Sequence, residues 1–78
     1  MKTGLIYIVN ATLVDGQTAY LPHNERFNIK LAQKLADDVF QNTDVAKVTV
    51  TRVIRKFDTK AGVGSVDTGS VVVYTKSR

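Results

Sequence analysis

The chain has 78 residues, 44% hydrophobic and 23% charged, the balance of a folded globular domain and not of a disordered segment. It has no cysteine and a single histidine, which excludes disulfides and cysteine-ligated zinc, fits a reducing cytoplasm, and leaves stability to packing or assembly. A formal net charge of +4 biases the surface toward anionic partners such as nucleic acid, phosphates or acidic proteins.

At this length one domain, residues 1–78, is expected, close to the lower size at which a single core sustains a fold without staples. Met1-Lys2-Thr3-Gly4 followed by Leu5 to Val9 has the outline of a secretory signal. Asn10 breaks the apolar run, however, and no small-residue cleavage pattern is clear, so the segment is read as structure. No run approaches the ~20 apolar residues that span a bilayer, so a soluble protein is expected.

Leu5 to Val14 reads as a long strand. Asp15-Gly16 is a two-residue hairpin signal leading into a shorter strand, Gln17 to Leu21, which Pro22 ends. His23 to Arg26 makes a polar crossing. Asn28 is placed to cap a helix running to Gln41, because Leu31, Ala32, Leu35, Ala36, Val39 and Phe40 follow at helical spacing. Asn42-Thr43-Asp44 closes it, with Asn42 suited to the left-handed conformation common at helix ends.

Val45 to Asp58 is rich in Val, Thr and Ile and reads as a strand. Its alternation is imperfect: the phase of Ala46, Val48 and Val50 brings Arg52 and Lys56 inward, whereas Val53 and Phe57 have the opposite phase. A bulge near Thr51 and Arg52 would reconcile the two. Lys60 to Gly69 holds three glycines and is expected to be a long mobile connection before a last strand, Ser70 to Lys76. The expected fold class is α+β, a two-layer sandwich in which an antiparallel four-stranded sheet of order β-β-α-β-β carries one helix on one face.

Leu5-Ile6-Tyr7-Ile8-Val9 and Val71-Val72-Val73-Tyr74 are continuous apolar runs, the pattern of strands covered on both faces. One helix covers one face. The second face is therefore expected to rest against another copy of the chain or a target.

Asp67-Thr68-Gly69, ahead of Ser70, resembles the catalytic turn of aspartic peptidases, in which two facing aspartates share a proton; a short chain would have to dimerise to form it. Only Ser70 to Arg78 follows, too little for the rest of such a domain, so a hairpin turn is the expected role. Gly62-Val63-Gly64 lacks the third glycine and the following helix of a dinucleotide fingerprint. His23 has no neighbouring nucleophile. Asp37 and Asp38 project about 100° apart on a helix and form no facing pair. No catalytic, metal or cofactor set is assigned, and a non-enzymatic protein is expected.

Charge is the least random feature. Lys47, Arg52, Arg55, Lys56 and Lys60 fall on one strand and its exit and are expected to form a basic ridge for phosphates or an acidic protein surface, or else to guard an exposed strand. Lys30 and Lys34 in the first half of the helix, with Asp37 and Asp38 near its end, oppose the helix dipole, an arrangement that stability did not select. Tyr7 and Tyr74 are the rings placed to join a binding surface, if the first and last strands lie close together.

The hairpin, the helix entered through Asn28-Ile29-Lys30-Leu31-Ala32 and the strand ending Val50-Thr51-Arg52-Val53-Ile54-Arg55-Lys56 resemble, in size and element order, small phage-encoded inhibitors. These include host-polymerase inhibitors and certain anti-CRISPR proteins. The resemblance implies a compact binding protein that occludes a larger protein or ribonucleoprotein complex, with the Ala61 to Gly69 loop ordering on engagement. The alternative expectation is a homodimer that binds RNA or DNA directly.

Overall fold

A computed structural model describes residues 2–57 and 65–78 of the chain. In chain order the elements are β1 (Lys2–Leu13), β2 (Glu25–Arg26), α1 (Ile29–Phe40), β3 (Val45–Phe57) and β4 (Ser65–Ser77). They form one antiparallel sheet of order β2-β1-β3-β4 with the single helix packed on it, the expected α+β sandwich.

The turn after β1 forms where Asp15-Gly16 placed it. The Gly16 N–H donates to the Leu13 carbonyl, and Gly16 takes the positive φ, 90°, that suits a residue without a side chain. The expected return strand Gln17 to Leu21 does not develop beyond a bridge between Thr12 and Thr18. Pro22 cannot donate to a ladder, and His23 turns the chain with a φ of 54°. The second strand is therefore Glu25–Arg26, opposite Ile8 and Tyr7, inside the stretch expected to be a polar crossing.

Asn28 caps α1: its Oδ1 accepts the Lys30 N–H at 2.7 Å. Ala32 and Ala36 are fully buried, and their small side chains let the helix backbone come close to Val9, Ala11, Val48 and Val50, which are also buried. Leu35, Val39, Phe40, Val73 and Tyr74 pack around this cluster. Asn42 does not adopt the expected left-handed conformation. Instead its N–H donates to the Val39 carbonyl and its Oδ1 accepts the Asp44 N–H, a local turn that leads straight into β3.

The bulge expected in the middle of β3 is absent from its ladder with β1, which runs without interruption from Lys47 to Phe57. Both register shifts near Thr51 belong to the β3–β4 ladder, and the extra residues are on β4. The phase conflict in β3 is resolved differently: successive side chains simply alternate. Arg52, Ile54 and Lys56 follow Val50 on the helix side, and Val53 turns to the other face, opposite Ile6.

β4 begins at Ser65, five residues before the expected start, so the section of the expected loop from 65 to 69 is strand. Asp58, Lys60 and residues 61–64 lie outside the described residues.

Candidate partner-binding face

The helix is shorter than the sheet it covers. Twelve helical residues span about 18 Å, whereas a strand of thirteen reaches about 43 Å, and the molecule extends 45 Å along its long axis. On the helix side, β1 contributes Val9, Tyr7 and Leu5 in succession, and β3 contributes Val50, Arg52, Ile54 and Lys56. Burial is complete at Val9 and Val50, falls to half at Tyr7, and is lost at Leu5 (47% exposed) and Ile54 (39%).

Past the start of α1 lies an uncovered platform. Leu5 and Ile54 are directly paired, and Arg52 lies between Tyr7 on β1 and Val71 on β4. Val71 is 48% exposed. A Cβ added at Gly69 would meet Ile54 Cδ1 at 3.4 Å, an ordinary contact, so it is the φ of 63° that favours glycine there. Phe27 and Leu31, at the entry to α1, are also exposed, and the first turn of the helix holds no acidic residue.

Arg52 and Lys56 are exposed on this platform and have no ion-pair partner among the described residues. The described carboxylates lie elsewhere. Glu25 and Asp67 face the other side of the sheet; Asp37 and Asp38 occupy the far half of α1, and Asp15 and Asp44 flank the turn at the end of β1. An aliphatic surface beside two cations that are unpaired among the described residues fits an acidic partner that also carries apolar groups.

The five basic residues of the expected ridge do not share a face. Arg52 and Lys56 are on the helix side, Lys47 and Arg55 are on the opposite face, and Lys60 lies outside the described residues. Arg55 is already occupied. Its guanidinium is bidentate to Glu25, with two 2.8 Å bonds, and bidentate to Asp67, at 2.7 and 3.0 Å. Hydrogen bonding from Arg55 holds both carboxyls below their ordinary pKa, and the same bonds raise that of the guanidinium.

This clamp joins the two outer strands of the sheet across the rung of Ile6 and Val53, which are buried on the face turned away from the helix. At one end that face carries the Arg55 ion network, at the other it is polar, with Asn10 opposite Thr49, Thr12 opposite Lys47 and Thr49 opposite Thr75, and between them Val72 is 58% exposed.

Tyr7 and Tyr74 both lie on the helix side but are separated by β3, and both pack against the core. The Tyr74 hydroxyl donates to Asp37 Oδ1 at 2.7 Å, which raises its pKa. Sequence reasoning missed Leu5, Ile54 and Val71 as surface residues, because their apolar character reads as core. The signal that could have found them is length: a twelve-residue helix cannot span strands of twelve and thirteen.

Asp67-Thr68-Gly69 lies within β4 and not at a hairpin turn, and its carboxylate is bound to Arg55. Gly62-Val63-Gly64 lies outside the described residues. Among the described residues no group of three potential metal ligands forms, no cavity forms, and no helix is long and apolar enough to cross a membrane. No family model, curated protein or solved structure matches this chain.

Proposed function

We propose that this chain is a non-enzymatic binding protein that uses the uncovered end of its helix-side face to occlude an acidic, apolar-bearing surface of a larger protein complex. The observation that carries the reading is the platform itself: Leu5, Ile54 and Val71 exposed side by side, with Arg52 and Lys56 exposed among them and unpaired within the described residues. Contiguous exposed aliphatic area rimmed by polar groups is a mark of interaction surfaces. The unpaired cations add orientation and on-rate. A nucleic-acid-handling complex is the target class that the resemblance to phage-encoded inhibitors adds.

The same observation ranks a protein surface above bare nucleic acid. Sequence-tolerant nucleic-acid binding relies on aromatic platforms, whereas Leu5, Ile54 and Val71 are aliphatic, Tyr7 and Tyr74 pack against the core, and the exposed ring beside the platform is a single one, Phe27. Asp67, held ionised by Arg55, is poorly suited to the shared proton of an aspartic peptidase dyad.

The test compares capture by the wild-type chain, by Arg52→Glu/Lys56→Glu, and by Lys47→Glu, whose charge lies on the opposite face. Retention by wild type and Lys47→Glu with loss from the double reversal supports the reading. Equal retention by all three overturns it. Binding of labelled RNA or DNA that weakens steeply with salt and needs Arg52 and Lys56 would favour direct nucleic-acid binding instead.

A further inference from the structure

The two edges of the sheet differ. From Tyr7 to Leu13 the outer edge of β1 is occupied by the chain itself: Leu13 N–H donates to Gln17, Ala19 N–H to Ala11, Val9 N–H to Asn24, and Glu25–Arg26 pairs with Ile8 and Tyr7. Among the described residues β4 pairs with β3 alone, and its outer edge carries no other strand. Open edges recruit other strands unless proline, charge or bulges prevent it. β4 contains no proline, and from Thr68 to Thr75 it carries no charge. Its guards are two bulges.

Those bulges lie one on each side of Val71 and are unequal, two residues of β4 being passed over on one side and one on the other. Opposite β3, residues Ser65 to Thr68 pair without interruption, the ladder passes over Gly69 and Ser70, pairs Val71 and Val72, passes over Val73, and is regular again from Tyr74 to Ser77. Val71 is the middle residue of Ser65–Ser77. Reversing the strand about it exchanges the two regular ends and brings Gly69 onto Val73.

We infer that the open edge of β4 pairs antiparallel with β4 of a second copy of this chain, about a two-fold axis at Val71. Ser65 then lies opposite Ser77, Asp67 opposite Thr75, Thr68 opposite Tyr74, and Val71 opposite its own counterpart. The faces agree, as antiparallel pairing requires. Thr68, Val71 and Tyr74 all lie on the helix side, opposite Ile54, Arg52 and Val50, and Asp67 and Thr75 both lie on the other, opposite Arg55 and Thr49. A straight foreign strand falls out of step at each bulge, whereas a second copy meets bulge with bulge. Charge also permits self-pairing: Asp67 and Lys76 make the strand neutral in a chain of net charge +4, and this register opposes no like charges. Val71 remains on the helix-side face, so the two platforms join at the axis.

The test is sedimentation of wild type, Val71→Lys, Val71→Glu and an equimolar mixture of the two variants, with circular dichroism to confirm folding. A wild-type dimer, monomeric single variants and a dimer restored in the mixture are expected, because only a residue facing itself gives that pattern. As the chain has no cysteine, Val71→Cys supplies a second readout that keeps the wild-type charge: mild oxidation should give a covalent dimer, while Thr75→Cys should not. A wild-type chain that stays monomeric at every attainable concentration, or a Val71→Lys variant that dimerises like wild type, would overturn the inference. It is tested apart from the proposed function: dimerisation is read with the Val71 variants, whereas capture is read with Arg52→Glu/Lys56→Glu, which lie on β3 and leave the outer edge of β4 unchanged.

Discussion

Ile6 and Val53 face each other across β1 and β3 on the side of the sheet turned away from the helix, 2% and 3% exposed. Neither belongs to the cluster under α1. They form a second small buried pair, on the same face as the Arg55 guanidinium, which reaches from Asp67 on β4 to Glu25 on β2.

Arg55→Ala should therefore lower the melting temperature by several degrees, since it removes four charge-assisted bonds. The pH dependence follows from the carboxylates. Both pKa values are depressed below their ordinary values of 4.5 for Glu25 and 3.8 for Asp67, so the clamp contributes fully above about pH 4.5 and is lost as pH falls through the depressed values. Thermal melts from pH 7 down to pH 2 should show a smaller acid-induced loss in Arg55→Ala than in wild type.

Val50→Ala should cost about 2 kcal/mol, from two buried carbon groups and the cavity left behind. Val50 is fully buried under α1, whereas Val72, also apolar and on the neighbouring strand, is 58% exposed. Val72→Ala should change stability by less than about 0.5 kcal/mol. Urea denaturation of the two variants checks the contrast.

Arg78 closes the end of the helix from a distance of 38 residues in sequence. No basic residue occupies the last turn of α1, and the Arg78 side chain supplies the missing charge. It donates to the carbonyls of Phe40, Asn42 and Val45 and stacks 4.4 Å over the Phe40 ring. Arg78→Ala should cost about 1 kcal/mol, and Arg78→Lys should recover part of it, because charge is kept while the planar fork is lost. Amide exchange at the end of α1 should quicken in the same order.

Tyr74 should ionise later than an ordinary phenol, because its hydroxyl is bonded to the Asp37 carboxylate. A pKa raised in the folded state contributes stability that is fully present below about pH 10 and is lost as pH rises through the shifted value. Tyr74→Phe should remove that alkaline dependence, which is read by comparing melts at pH 8 and pH 11.

The local rules of helix and turn were legible in the sequence. Asn28 as cap, the apolar stripe from Leu31 to Phe40 and the Asp15-Gly16 turn all lie where the residues placed them, because each is fixed by neighbours a few positions away. The second strand was not, since Glu25–Arg26 is held by its place beside β1 and carries no strand pattern of its own. The start of β4 was missed because Gly69 reads as loop, whereas in the fold it is a bulge residue seated against Ile54. The basic residues of β3 were read as one ridge because they are close in sequence. Alternation sends Arg52 and Arg55 to opposite faces, and only the carboxylates of β2 and β4, distant in sequence, show that Arg55 is already engaged.

The most direct measurement is residue-resolved NMR of the isotope-labelled chain as a captured partner protein is added. Broadening or shifts at Leu5, Arg52, Ile54 and Val71, with Asn10, Thr49 and Thr75 undisturbed, is the predicted result. Perturbation confined to Asn10, Thr49 and Thr75 would contradict the assignment of binding to the helix-side platform.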